Sequence, residues 1–310
     1  MHERPTVGAA PSENEGDGGQ TPPLRGEQWS RRTVEQLKGR DKPCRYILAS
    51  DPRRVRAGEK CGFIPFTVLG YPDERMSIEI IRAMVRGGAD MVELGFPFSD
   101  PIADGPVIQE ADTVALRNGA DTESCFRMLR MVRGFTDIPI GLLLYYNLIY
   151  QYGVEAFYGK CRALRIQYVL AADVPLEEAG EIVRAAKKNG VGTVFIVSEV
   201  TDEERLRRVV AQTTGFLYVV TRLGVTGARE SIHDSTTKLL QRLRPLTKLP
   251  LYAGFGISKP EHVRAVCGAG ADGAICGSAI IRLVAKSAGN KHGMLKNVES
   301  FVREMKAATT

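Results

Sequence analysis

From Phe63 to the C-terminus the chain alternates short, uniformly apolar runs with amphipathic stretches of helical period. The runs are Phe63–Leu69, Met91–Gly95, Ile140–Tyr145, Tyr168–Ala172, Thr193–Val197, Phe216–Val220, Leu251–Ala253 and Gly273–Cys276, which makes eight candidate strands. Being apolar throughout, they suit parallel strands buried on both faces. Between them, residues such as Met76, Ile80 and Met84, with Ile81 and Val85 alongside, recur at the spacing of an amphipathic helix. The corners Gly87-Gly88-Ala89-Asp90, Gly190-Val191-Gly192 and Gly268-Ala269-Gly270-Ala271-Asp272 place glycine where a helix ends, the position at which left-handed backbone costs least. Eight such units over 248 residues match the ~250 typical of a (β/α)8 barrel. The expected fold is therefore α/β, a (β/α)8 TIM barrel over residues 62–310. A doubly wound open sheet is the competitor, but Gly70-Tyr71-Pro72-Asp73 stands where its glycine fingerprint would fall.

Residues 1–61 form a separate N-terminal extension, disordered or irregular and basic in its second half. Its first 28 residues are rich in Gly, Pro, Glu and Gln and carry hardly any large apolar side chain. Ser30 can cap a short helix carrying Val34 and Leu37. Residues 24–62 hold eleven Lys and Arg against five Asp and Glu, so much of the chain's +6 sits there. A solvated extension is the favoured reading of that run, and nucleic acid is a weak expectation for the barrel. No apolar run reaches the ~20 residues of a membrane span. Glu3, Glu13, Glu15 and Asp17 disfavour an organellar transit peptide. A cytoplasmic location is expected, with a plastid left open. The six cysteines show no CxxC pair, so reduced thiols are expected rather than a disulfide framework.

In a barrel the chemistry belongs at the C-terminal ends of the strands. Glu93 sits there among apolar neighbours and leads into Phe96-Pro97-Phe98-Ser99-Asp100-Pro101-Ile102-Ala103-Asp104-Gly105-Pro106, a proline-stiffened loop with two more carboxylates. Burial of Glu93 would raise its pKa and keep a proton available near neutrality. The seventh and eighth strands end in Gly254-Phe255-Gly256-Ile257-Ser258 and Cys276-Gly277-Ser278-Ala279. There, backbone N–H groups at helix starts can cradle a phosphate. Thr221–Gly227, after the sixth strand, reads as a mobile loop able to close over the site. Phe66, Leu143, Tyr145, Tyr218 and Phe255 offer apolar or aromatic walls, though each taken singly is better explained as barrel core. The four histidines do not cluster, which disfavours a metal site, and no lysine stands at a strand end, which disfavours a Schiff-base aldolase.

Together these residues resemble the tryptophan synthase alpha chain family, over roughly Gly62 to Leu283. The most specific stretch runs from Glu93 to Pro106, supported by Phe63–Phe66, Leu69–Pro72, Ala172–Pro175, Arg222 with Gly224–Gly227, Gly254–Ser258 and Gly277-Ser278. The resemblance implies cleavage of indole-3-glycerol phosphate to indole and glyceraldehyde 3-phosphate, with Glu93 and Asp104 as the catalytic carboxylates. It implies a phosphate site at Gly224, Gly256, Gly277 and Ser278, an indole pocket at Phe66, Leu143, Tyr145 and Phe255, and Thr226 in the closing loop. It further implies a beta chain partner in an α2β2 heterotetramer, with pyridoxal phosphate (PLP) on that partner and no cofactor in this chain. The long basic extension departs from the family pattern. The rival readings are another phosphosugar barrel, such as an isomerase, which does not account for Glu93 paired with its loop, and a non-catalytic regulatory subunit, against which both carboxylates speak.

Overall fold

The computed structural model describes residues 61–310 apart from 222, 227–228, 233 and 288, and for 223–226 and 229–232 it describes the backbone alone. The expected extension, with its helix after Ser30, thus lies outside the described residues, Cys61 excepted. The chain begins with β1 (Gly62–Val68), α1 (Glu74–Arg86), β2 (Val92–Gly95), α2 (Pro106–Arg117), α3 (Thr122–Arg133) and β3 (Ile140–Leu144). It continues through α4 (Tyr146–Tyr152), α5 (Val154–Ala163), β4 (Tyr168–Ala171), α6 (Gly180–Asn189), β5 (Gly192–Thr193), β6 (Phe195–Val197) and α7 (Glu203–Gln212). Then come β7 (Leu217–Val220), β8 (Leu223–Thr226), β9 (Arg229–Ile232), α8 (Asp234–Leu243) and β10 (Leu251–Gly254). α9 (Pro260–Gly268), β11 (Gly273–Cys276), α10 (Ser278–Lys286) and α11 (Lys291–Ala307) complete it.

The parallel sheet runs in the order β5-β4-β3-β2-β1-β11-β10-β7-β6. β5 and β6 are two halves of one stave, parted at Val194, the first paired with β4 and the second with β7. The barrel closes through that stave. Its interruption follows from Thr193, whose carbonyl accepts from Gly215 N at 2.9 Å and whose hydroxyl donates to Gln212 O at 2.9 Å. The segment entering β7 therefore occupies groups that would extend the ladder. All eight expected strands are present, with ends within a residue or so of those read from the sequence.

The corners work as their chemistry requires. Gly88, Gly190 and Gly270 take φ of +97°, +68° and +99°, which L side chains rarely adopt. The aspartates that end two of them pin neighbouring strands. Asp90 Oδ2 accepts from Phe63 N at 2.7 Å, and Asp272 Oδ2 accepts from Leu251 N at 2.9 Å. Helices pack around the staves over one apolar layer that includes Val68, Ile80, Ile81, Met84, Leu94 and Leu129. Inside the barrel, Ile64, Met91, Tyr168, Leu170, Phe216, Tyr218, Tyr252 and Ile275 form a second cluster. Phe216 meets the rings of Tyr252 and Tyr168 at 4.6 and 5.3 Å, so this end of the barrel is plugged and the other is left for a ligand.

Two expectations need correcting. Thr221–Gly227 is not simply a loop, because β8 and β9 pair antiparallel, Gly224 opposite Ser231 and Thr226 opposite Arg229. Leu223–Thr226 and Arg229–Ile232 are separated by two residues, Gly227-Ala228, the spacing of a β-hairpin. The thiols are not all reduced. Cys61 and Cys267 form a disulfide with Cα atoms 5.8 Å apart, while Cys125, Cys161 and Cys276 are free and buried. The bonded pair is 206 residues apart in sequence and meets only because β1 lies beside β11. Cys44 lies outside the described residues.

Candidate active site

Glu93 is 2% exposed on β2, with Phe66 of β1 beside it in register. Burial, and then the charge of Asp104, push its carboxyl up to about 8. The loop after β2 brings Asp104 to the same place. Its turns are closed by Ile102 N donating to Asp100 O at 2.9 Å and Asp104 N to Pro101 O at 3.0 Å. The Gln109 side chain, from the first turns of α2, donates to Asp104 O at 2.8 Å. Pro106 then opens α2, where its missing N–H costs nothing.

Tyr145 fixes this loop from the end of β3. Its hydroxyl donates to Asp104 Oδ2 at 2.7 Å and accepts from Ala103 N at 3.0 Å, while its ring stacks on Phe98 with centroids 4.9 Å apart. Burial raises the Asp104 pKa and the Tyr145 hydrogen bond lowers it. The two carboxyls are thus treated differently. Burial raises both, but among the described residues only Asp104 has a side-chain donor that offsets part of the rise, so the arrangement favours the proton on Glu93 over Asp104.

A cavity of about 270 Å³ opens beside them. Phe66, Leu143, Tyr218 and Phe255 line it, as do Gly256, Gly277 and Ser278. Tyr145 does not line it and acts from behind Asp104. The backbones of Gly224 and Thr226 belong to β8, and their side-chain surroundings lie outside the described residues. Gly95 and Gly277 make room for Phe66, since a Cβ on either would meet its ring at 2.8 Å. Burial, then the charges of Glu93 and Asp104, push the Tyr218 hydroxyl well above its usual range, so it stays protonated.

The two glycine-rich loops differ. Ser258 N donates to His262 Nδ1 at 3.2 Å, and α9 begins with Pro260, so that helix start offers few donors. α10 begins at Ser278 behind Gly277, with no side-chain cap and no acidic residue in its first turn. The first N–H groups of a helix have no intrahelical acceptor, and here they border the cavity. Across from them, Phe255 takes φ of +86° and Gly256 +76°, with the Phe255 carbonyl held by the Thr221 hydroxyl.

Two residues escaped the sequence reading. Arg282 lines the cavity one helical turn after Ser278, and that i+4 spacing was the available signal. Asp112 is a buried carboxyl on α2, pushed up to about 8 by burial and then by the charge of Asp104. Nothing in its local sequence distinguishes it from a solvated helix residue.

The tryptophan synthase alpha chain family profile matches residues 53–310. The tryptophan synthase alpha chain of Methanothermobacter thermautotrophicus is 49% identical over 253 residues, covering 82% of this chain and 94% of its own. That of Methanoregula boonei is 45% identical over 249 residues, covering 80% and 94%. Among solved structures, a chain of the α2β2 tryptophan synthase complex of Pyrococcus furiosus superposes with a TM-score of 0.74 at 35% identity, covering 80% of this chain and 98% of that one. A chain of Mycobacterium tuberculosis tryptophan synthase gives 0.75 at 27% identity, covering 83% and 96%.

Proposed function

The chain belongs to the tryptophan synthase alpha chain family, and we propose that its cavity cleaves indole-3-glycerol phosphate into indole and glyceraldehyde 3-phosphate, with Glu93 and Asp104 carrying the chemistry. The observation that carries this reading is the unequal pair of carboxyls, one buried with its pKa pushed up to about 8, the other accepting a hydrogen bond from Tyr145.

The reaction breaks a carbon–carbon bond between the indole C3 and the glyceryl chain. Glu93 gives its proton to C3, and the ring nitrogen takes up the positive charge. Asp104 balances that charge through the indole N–H, at the moment it develops and in a site poor in water. The carbon–carbon bond then breaks and its electrons return to the ring. The glyceryl hydroxyl becomes the aldehyde as its proton passes to the Glu93 carboxylate, which restores the starting state. Phe66, Leu143, Tyr218 and Phe255 hold the indole. The Gly256 loop and the open start of α10 hold the phosphate, so binding energy remote from the reacting bond fixes its orientation.

The partner is a tryptophan synthase beta chain, as in the α2β2 complex of the Pyrococcus furiosus protein. Ile102, 84% exposed on the loop that carries Asp104, is one apolar group such a partner would cover. PLP is assigned to that beta chain. Indole is apolar and escapes from an open cavity, which gives a docked partner its purpose.

Indole release from indole-3-glycerol phosphate, followed with and without a beta chain, tests the reading. Cleavage by the isolated chain, raised by the beta chain, supports it. No cleavage in either condition overturns it.

A further inference from the structure

Arg282 is the one basic side chain among the described residues that line the cavity. It lies on α10 four positions after Ser278, hence on the same helix face. Helical side chains lean toward the N-terminus of their helix, which carries the guanidinium back over the turn that starts at Ser278. Its outer part is exposed, and it forms no ion pair with a described residue.

A cation leaning toward a helix N-terminus is electrostatically misplaced. That end already carries about half a positive charge, and acidic residues normally occupy it. α10 has no acidic residue in its first turn and no side-chain cap. The carboxyl groups among the cavity's described lining, Glu93 and Asp104, belong to the reaction centre on β2 and its loop. The unpaired cation and the uncapped helix start therefore share one deficit, and a dianion placed between them satisfies both.

We propose that Arg282 is the specificity-determining residue of the phosphate end, clamping a phosphate monoester against the N–H groups of α10. This rests on the reading that the phosphate of the substrate lies there. Backbone N–H groups alone accept any small polar group. A guanidinium adds a full charge and a two-pronged donor matched to phosphate oxygens. Being exposed, it gives up its hydration only when a ligand binds. It touches the tail of the substrate and not the reacting bond, so it governs affinity rather than the chemical step.

The test uses the full chain, with R282Q and R282K. For R282Q, KM for indole-3-glycerol phosphate should rise roughly tenfold to a hundredfold, the range of a hydrogen bond to a charged group, while kcat changes less than about threefold. Inorganic phosphate should lose affinity by a similar factor, whereas indole, which has no phosphate, should bind R282Q as it binds the parent chain. R282K should recover much of the loss. An R282Q chain with unchanged KM and unchanged phosphate affinity overturns the proposal, as does equal weakening of indole and phosphate binding, which would mark a collapsed cavity. If the parent chain fails to cleave the substrate, the proposed reaction falls. The phosphate affinities of the parent chain and R282Q then still decide the role of Arg282.

Discussion

The two ends of the cavity are built on opposite principles. At the β2 end, Glu93 is almost fully buried and Asp104 is held by Tyr145, which is itself stacked on Phe98. At the α10 end the donors are backbone N–H groups, and the one basic side chain among the described residues lining the cavity is an exposed arginine. Proton transfer needs a carboxyl whose pKa lies near neutrality, and only desolvation and a neighbouring charge move it that far. Anion capture at a helix start needs no proton moved, since backbone N–H groups present fixed dipoles. One end spends stability on a carboxyl poised to react, and the other binds through fixed backbone dipoles.

Substitutions separate the two ends. E93Q keeps the shape and removes the proton, so kcat should fall about 10²–10⁴-fold while inorganic phosphate binds unchanged. A variant that retains most of its kcat breaks the comparison. D104N should cost about 10²–10³-fold in kcat, because an amide cannot balance the charge on the ring. Y145F removes the donor to Asp104, for which roughly tenfold or more in kcat is expected. The pKa of Asp104 should then rise further, so the acid limb of the rate profile moves to higher pH. In the parent chain the alkaline limb should fall through about 8, as Glu93 loses its proton.

Folding stability tests the same carboxyl without substrate. Glu93 has a pKa raised from 4.5 to about 8, so between these values the folded chain binds more protons than the unfolded one. Its contribution is therefore fully present at low pH and is lost as pH rises toward 8, with a ceiling on the order of 5 kcal/mol. E93Q should flatten that decline in denaturant titrations run from pH 5 to 8.5. At the other end, G277A puts a Cβ 2.8 Å from the Phe66 ring and should cost about 1–3 kcal/mol of stability, with KM rising more than kcat falls.

The barrel was legible in the sequence because its signals are local. Apolar runs mark strands buried on both faces, and Gly88, Gly190 and Gly270 adopt the backbone their corners require. Glu93 and the loop to Asp104 were legible because prolines and carboxylates crowd one strand end. What escaped depends on contacts between distant segments. Tyr145 reads as a pocket wall, but its hydroxyl reaches 41 residues back to Asp104 and places it behind that wall. Ser258 reads as a second phosphate contact until His262, one turn ahead, takes its N–H. The parting of β5 from β6 depends on Thr193 meeting the segment before β7, which no periodicity records.

The Cys61–Cys267 bond closes residues 61–267 into a ring and leaves a C-terminal tail beyond it. The ring runs from the threshold of β1 to the end of α9 and carries Glu93, Asp104, Tyr145 and Phe255. The tail carries β11, α10 and α11, and with them Gly277, Ser278 and Arg282. The tail's strand is inserted between the ring's own β1 and β10. A barrel so made has a knot of covalent chain at the root of its last unit, and the phosphate end hangs from that root. A single protease cut anywhere within the ring leaves one covalent molecule, which parts into two only when the thiols are reduced. A cut in the tail leaves two covalent pieces without any reduction, held together only by packing.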